Sequence, residues 1–411
     1  MRIAMWHNLP SGGAKRALHE QVKGLLSRGH HLEAWCPPVS DTTFLPLSTL
    51  IDEHVVSLDE QVSPPWASGG RWATLRSSAP MRRVISDHAA RCAAQMRDGD
   101  FDVYLATTCQ YFGSPPIARY LPSPNVLFLQ EPHRWLYEAN PDFPWLAAET
   151  QARNWQDVPR KLLEAGRIYR RSERARFEVD NARSFDAILV NSYFSRETVL
   201  RVYGLDAVVC SLGVDTSLFR PTGAAHEDVV LGVGTLAPHK NAALLVDAVA
   251  RMDPPRPRVE WVGASRDEPY AADVRRSASR QGVDMHLELD ADDATLVQSL
   301  NRAKLLVYAS HLEPFGLVPL EASACELPVV AVPEAGIRET VIDGVNGLLV
   351  GATSAEVARA IRWLLDDAGL RQRLGRQGRE HVERAWTLEQ ATDRLEELLT
   401  ALAARRELRP V

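Results

Sequence analysis

The sequence predicts an α/β protein built from two doubly wound parallel sheets. Three observations carry that expectation. Short apolar runs alternate with stretches of helical spacing along most of the 411 residues, the pattern of parallel strands joined by helical crossovers. The pattern pauses at "FRPTGAAHED" (Phe219 to Asp228), which has the proline, glycine and polar content of a linker, and then restarts. Each half opens with a glycine-bearing strand-to-helix turn, "HNLPSGG" in the first and "GVGTLAPHK" in the second.

The elements follow in order. Arg2 to Trp6 is a short, mostly apolar strand, and His7 to Gly13 is loop chemistry. Ala14 to Arg28 carries helical spacing through Leu18, Val22, Leu25 and Leu26, and Gly29 stops it. "HLEAWCP", "FDVYLAT", "NVLFLQ" and "AILVNS" supply the remaining strands of the first half. "VVLGVG" restarts the pattern, Asn241 to Met252 is a helix, and "RVEWVG", "MHLELD", "KLLVYAS" and "PVVAVP" complete the second half. A last amphipathic helix runs from about Leu388 to Leu402. In such sheets ligands bind beyond the carboxyl ends of the strands, where loops meet helix N-termini. Two regions stand apart. Pro64 to Asp100 gathers Trp66, Arg71, Trp72, Arg76, Arg82 and Arg83, and Gln151 to Arg183 is helical and arginine-rich. Both read as solvated excursions of the first domain or as a basic surface for an acceptor or an anionic interface.

Composition narrows the function. A net charge of −6 gives no reason to expect nucleic acid as a partner. The five cysteines, Cys36, Cys92, Cys109, Cys210 and Cys325, are scattered without zinc or thioredoxin spacing, so a reducing cytoplasm is expected. The Met-Arg-Ile-Ala-Met-Trp-His start brings charge too early for a signal-peptide core, and no apolar run reaches spanning length. Membrane contact, if made, is expected to be peripheral, at the inner surface.

The chemistry concentrates in "HLEPFGLVPLEASACELPVV" (His311 to Val330). Glu313 stands just before a Pro-Phe-Gly-Leu turn, and Glu321 lies about one turn into the helix behind it. Amides of a first helical turn lack partners and favour anions. Gly316 lets backbone approach a ligand closely. Either glutamate alone is more often a surface or capping residue. Together they suit a ligand with hydroxyls at both ends and phosphates between, which describes a nucleotide-sugar. Asp290 and Asp292 in "LDADDA" have the spacing of a metal-diphosphate motif, but they precede a helix and read as capping groups. No metal is expected.

The chain resembles the retaining glycosyltransferases of family 4, which have the GT-B architecture. The likeness runs through "SGGAKRALHEQVKGLLSRGHHLEAW", "ILVNSYFSRETVLRVYG", "LGVDTSLFRP", "GVGTLAPHKN" and "EPFGLVPLEASACELPVVAVPEAGIRETVIDGVNGLLV". It implies two facing Rossmann-like domains with an interdomain cleft: residues 1–218 for the acceptor, with a helix at 386–405 crossing back, and residues 219–385 for the donor. It implies that Glu313 contacts donor-sugar hydroxyls with the amides of Phe315, Gly316 and Leu317. Glu321 would bind the ribose and Lys240 the diphosphate. Gly12 and Gly13 would bring amides to phosphate or acceptor. The implied reaction is retaining, metal-independent hexosyl transfer from a UDP- or GDP-sugar to a glycan, glycolipid or small-molecule hydroxyl. Catalytic roles would fall to Glu313, Lys240 and His133, with no cofactor beyond the donor itself. The chain departs from the family in four places: Cys325-Glu326-Leu327-Pro328 replaces Cys-Gly-Leu-Pro, Glu334-Ala335-Gly336 replaces Gly-Gly and adds a carboxylate that must point away from a phosphate, and two further changes touch expected site residues. Gly234-Thr235 replaces Gly-Arg, so either His239 or an arginine elsewhere, such as Arg338, supplies the second cation or phosphate binding is weaker. Gln130 stands at the usual histidine, with His133 three residues on. A paired-carboxylate hydrolase, an epimerase or phosphorylase, and a silent sugar-nucleotide binder remain as alternatives.

Overall fold

The structure is a computed structural model that describes residues 1–59, 79–138, 158–264 and 268–407. Trp66, Arg71, Trp72 and Arg76, and the beginning of the arginine-rich stretch, lie outside the described residues. The chain divides into two compact units. One comprises Met1–Asn191, Ser195–Cys210 and Arg394–Val411; the other comprises Ser192–Phe194 and Ser211–Asp393.

The first unit contains strands β1 (Arg2–Asn8), β2 (His31–Cys36), β3 (Asp52–Val55), β4 (Val103–Cys109), β5 (Asn125–Phe128), β6 (Ala187–Val190) and β7 (Val208–Val209). They form one sheet in the order β3-β2-β1-β4-β5-β6-β7, and every pair is parallel. The second unit repeats the plan with β8 (Val229–Val233), β9 (Arg258–Gly263), β10 (Met285–Leu289), β11 (Leu305–Tyr308), β12 (Val329–Ala331) and β13 (Gly347–Leu349). Its order is β10-β9-β8-β11-β12-β13, again parallel throughout. In each sheet the order reverses beside the first strand, between β1 and β4 and between β8 and β11. Loops leaving these neighbouring strands diverge there and leave a crevice.

The central strands are buried on both faces, so they read as continuous apolar runs; β8 and β11 are buried at every position. Three strands escape that signal. β3 is Asp-Glu-His-Val and largely exposed, β7 has two residues, and β13 has three beginning with glycine. Each unit has its own core. Trp6, Ile85, Phe101, Tyr104 and Leu127 centre the first. Val230, Leu245, Trp261, Leu305 and Ile361 centre the second.

Helices stand at the positions expected for 14–28, 241–252 and 388–402. α1 is Gly13–Ser27, and Gly29 beyond it has φ of 78°, as a glycine terminator does. α2 (Ala79–Asp98) and α3 (Val158–Ala182) flank the first sheet, followed by α4 (Tyr193–Tyr203). The second unit adds α5 (Ala242–Ala250), α6 (Glu268–Arg280), α7 (Asp293–Arg302), α8 (Leu317–Ala324), α9 (Ile337–Thr340), α10 (Ser354–Asp366) and α11 (Ala368–Ala385). The last helix, α12 (Leu388–Glu407), begins among residues of the second unit and ends among residues of the first. Arg82 pairs with Glu173 at 3.3 Å and lies over the Phe177 ring, so part of the arginine surplus serves internal contacts. No helix among the described residues is long and apolar enough to cross a membrane.

His88 of α2 is fully buried against Trp6 and Cys92. Burial, helped by the Arg91 charge, holds its pKa down at about 4. The unfolded chain takes up a proton near pH 6.5 that the folded chain refuses, so stability falls as pH drops from about 6.5 towards 4. Urea denaturation of the first unit between pH 7.5 and pH 4.5 should show this slope, and His88→Gln should flatten it. An unchanged slope in the variant would remove His88 from the explanation.

Candidate active site

The second unit assembles its site at the β8/β11 crevice. β8 ends at Val233, and Gly234 just beyond it has φ of 137°. The Gly234 carbonyl accepts the Trp261 indole N–H at 2.9 Å. A Cβ on Gly263 would lie 2.2 Å from that same carbonyl oxygen, so glycine is needed for the two strand ends to approach. The chain then makes a short turn, Pro238–Lys240, and enters α5 through Asn241 in the left-handed region. That turn presents Lys240.

β11 ends at Tyr308, and Ser310 and Glu313 follow. The Lys240 ammonium lies 2.5 Å from Glu313 Oε2. The same oxygen accepts the Tyr308 hydroxyl at 2.9 Å and the Ser310 hydroxyl at 2.8 Å. Lys240 and Glu313 are each about one-sixth exposed (16% and 15%), so the pair is shielded yet reachable. Burial, then the Glu313 charge, pushes the Tyr308 phenol well above its usual range, which keeps it a donor. The His311 amide donates to the His239 carbonyl at 2.7 Å, tying the β8 loop to the β11 loop.

The glutamate loop is held from three sides. Gly336 N–H donates to the Glu313 carbonyl at 2.8 Å. Glu334 accepts from the Leu312 amide and contacts His311 Nδ1 at 2.6 Å. Its carboxylate is therefore committed to a loop histidine. Ser192 donates to the Pro314 carbonyl at 2.5 Å, and Glu339 accepts from the Tyr193 and Phe194 amides, each at 2.9 Å. Leu312 and Ala335 adopt positive φ values of 49° and 52°, conformations that cost non-glycine residues of order 1–3 kcal/mol each. Gly316 caps α8 at φ 102°, and a Cβ there would meet Ile337 at 2.8 Å and Thr340 at 2.9 Å. α8 carries Glu321, which is 4% exposed. Phe315 packs edge-on against Trp386.

The expected residues are thus brought together in part: Lys240 touches Glu313, and Phe315, Gly316, Leu317 and Glu321 share its loop and helix. Arg338 sits on α9, just past Gly336, and its Nε donates to Ala335 O at 3.3 Å. Asp292 caps α7, accepting from the Thr295 amide at 2.8 Å, and Asp290 lies in the left-handed region. Tyr308, Ser310 and Glu339 were not singled out by sequence, whereas Glu334, expected to point away from a phosphate, is bound to His311 and the Leu312 amide. Tyr308 and Ser310 had a usable signal, since both stand at the carboxyl end of a strand.

Gly12, Gly13, Gln130 and His133 belong to the first unit. Gly12 has φ 136° at the start of α1, and a Cβ on either glycine would meet nothing within 4 Å. Asp41 is held down to about 2: burial would raise it, but hydrogen bonds from the Phe44 and Thr43 amides and from the Thr43 and Ser11 side chains together outweigh burial. Beside this loop lies a buried charged cluster. His7 Nε2 is 2.9 Å from Glu53 Oε1, with Lys15 Nζ at 4.0 Å and Cys36 Sγ at 3.9 Å from the same oxygen. His7, Cys36 and Glu53 have the donor types of a metal site. The fully buried Lys15 ammonium already supplies positive charge there and would repel a divalent ion. Burial lowers the pKa values of His7 and Lys15 and pushes the Cys36 thiol to about 12, far from the thiolate a metal prefers. Gln130 accepts from Asn191 at 2.9 Å and serves the framework. His133 is 21% exposed and contacts Glu178.

This topology and this paired crevice define a GT-B type glycosyltransferase. Two family profiles cover the chain: residues 11–218 match the one described as Glycosyltransferase Family 4, and residues 216–381 match Glycosyl transferases group 1. The chain belongs to glycosyltransferase family 4. It is 34% identical over 248 residues to a D-inositol 3-phosphate glycosyltransferase of Geodermatophilus obscurus, covering 53% of each chain. With the Streptomyces bingchenggensis protein of the same name it shares 30% over 293 residues, 64% of each. The chain thus spans about half to under two-thirds of these curated relatives. Among solved structures, sucrose-phosphate synthase of Thermosynechococcus elongatus superposes with a TM-score of 0.72 at 20% identity, covering 98% of this chain and 99% of that one. HepE of Anabaena in complex with UDP gives 0.68 at 20% identity, covering 98% and 100%. These likenesses establish the shared fold.

Gly336→Ala tests how the loops interlock. A Cβ would lie 2.2 Å from the Pro314 carbonyl oxygen, which is backbone and cannot swing aside. The variant should lose at least about 1–3 kcal/mol of stability, as overpacking does, measured by thermal denaturation. A wild-type melting point would contradict this packing.

Proposed function

We propose that the protein transfers a hexose from UDP-hexose to a hydroxyl acceptor with retention of configuration. One observation carries the reading: Glu313 and Lys240 meet at the β8/β11 crevice, in front of a helix that carries Glu321. A diphosphate attracts Lys240, sugar hydroxyls suit the Glu313 carboxylate, and ribose hydroxyls suit Glu321. A hydrolase with paired carboxylates has no use for Lys240. The solved complexes of HepE with UDP and with UDP-glucose favour uridine as the base. The curated relatives' names make D-inositol 3-phosphate the first acceptor to try.

In the reaction, the bond from the anomeric carbon to the leaving phosphate oxygen breaks. A bond from the acceptor oxygen to the same carbon forms on the same face. The departing phosphate oxygen takes the acceptor's proton. Lys240 and the amides of Phe315, Gly316 and Leu317 stabilise charge that grows on the leaving group, and fixed donors of this kind do most when water is excluded. Thr235 offers no charge where the family has arginine, and the position of Arg338 beside the glutamate loop supports it as the replacement. Gly12 and Gly13 contribute open amides to phosphate or acceptor.

Incubation with UDP-glucose and D-inositol 3-phosphate should release UDP and yield an axially linked product by NMR. Lys240→Ala should lower turnover roughly 10²–10³-fold, as loss of one preorganised donor does. An equatorial product would refute retention. Full activity in the variant would remove Lys240 from the mechanism.

A further inference from the structure

We propose that Glu178 of α3 is the positioning residue for His133. It holds the Nδ1–H tautomer and leaves Nε2 as an acceptor for a substrate hydroxyl. The proposal deepens the transferase reading and rests on it.

The geometry is specific. Glu178 is fully buried, yet its carboxylate gathers four donors. Its Oε1 lies 2.8 Å from His133 Nδ1 and 3.4 Å from Arg174 Nε. Its Oε2 lies 3.2 Å from the Gly113 amide and 3.2 Å from the Tyr203 hydroxyl. A buried carboxylate with this many donors stays ionised: burial would raise its pKa, but His133, Arg174 and Tyr203 together lower it.

Three groups compete for His133 Nδ1. The Gly113 amide lies at 3.2 Å and an Arg174 nitrogen at 3.4 Å, and both are donors. Were Nδ1 bare, its lone pair would face the Glu178 anion at 2.8 Å. A proton on Nδ1 turns that repulsion into the shortest and charge-assisted bond of the set. Gly113 has an alternative acceptor in Oε2, and Arg174 donates also to the Tyr111 carbonyl. The carboxylate therefore decides the tautomer. With Nδ1 protonated, neutral imidazole can only accept at Nε2. Nε2 makes no bond to the described residues, and the ring is 21% exposed. The loop carrying His133 leaves the carboxyl end of β5, the edge of the sheet where Gly12 and Gly13 also lie. A sugar or acceptor hydroxyl is the ligand that matches a single exposed acceptor nitrogen.

The tautomer can be read on the resting, full-length protein by long-range 1H–15N correlation with 15N-labelled histidine, assigning His133 by its loss in His133→Gln. A fixed Nδ1–H signature is expected in wild type, and Glu178→Gln should shift it to the Nε2–H form or to exchange. An Nε2–H ring in wild type overturns the proposal, and no Glu178 variant needs to fold for that result. In transfer assays, Glu178→Gln and His133→Gln should each lower kcat by roughly 10²-fold, with the donor KM within about twofold of wild type. The double variant should be no slower than His133→Gln alone. Additive losses would assign Glu178 a separate structural role and overturn the positioning claim. A wild-type protein that neither binds nor turns over a sugar nucleotide would sink the transferase reading instead, and that result is scored independently of the tautomer.

Discussion

Opposite charges at the β8/β11 crevice set the terms for the second unit. Lys240 arrives from one strand and Glu313 from its neighbour, and they meet at 2.5 Å. Neither charge is well hydrated, so each needs the other while no ligand is present. Under the proposed function, a nucleotide-sugar would offer both an exchange. Its diphosphate can replace Glu313 as the lysine's counter-ion, and its hydroxyls can replace the lysine as donors to Glu313. Tyr308 and Ser310 keep the carboxylate oriented meanwhile. Backbone strain at Leu312 and Ala335, the close packing of Gly336 on Pro314 and the Glu339 anchor all hold the Glu313 loop against Lys240, where the proposed exchange would occur.

The first unit has the same sheet order around different side chains. Its Gly12–Gly13 turn leaves open space and adjoins a buried cluster of His7, Lys15, Cys36 and Glu53. The ion pair within that cluster is structural in character: it lies away from solvent, burial lowers the pKa values of His7 and Lys15, and His7, Lys15 and the Ser48 amide outweigh burial to hold the Glu53 carboxyl below its usual range. Gly12 and Gly13 face open space, and His133 is partly exposed. Under the proposed function, the second unit would supply the charged donor crevice, where Lys240 meets Glu313.

What sequence could convey follows from the range of each signal. Buried central strands announce themselves locally, because every position is apolar. The exposed Asp-Glu-His-Val of β3 and the two residues of β7 do not, since their strand character comes from neighbours. Glu313, Gly316 and Glu321 lie within one loop and helix, so their spacing was informative. Lys240 was found through its resemblance to a family motif and its loop position. The partners of these residues were hidden. Glu339 meets Tyr193, and Glu178 meets His133, across long stretches of chain that only the tertiary fold brings together. Gln130, at the family's histidine position, is bound to Asn191, which sequence alone could not indicate.

Nucleotide recognition by the second unit is tested most directly by thermal denaturation of wild type and Glu321→Ala with UDP, GDP, ADP, CMP and dTDP. A ligand at a hundredfold its dissociation constant adds about 2.7 kcal/mol, enough to move a melting point visibly. UDP should stabilise wild type and lose that effect in the variant. If no nucleotide shifted the wild-type protein, or if UDP stabilised Glu321→Ala equally, the assignment of the crevice as a donor site would be contradicted.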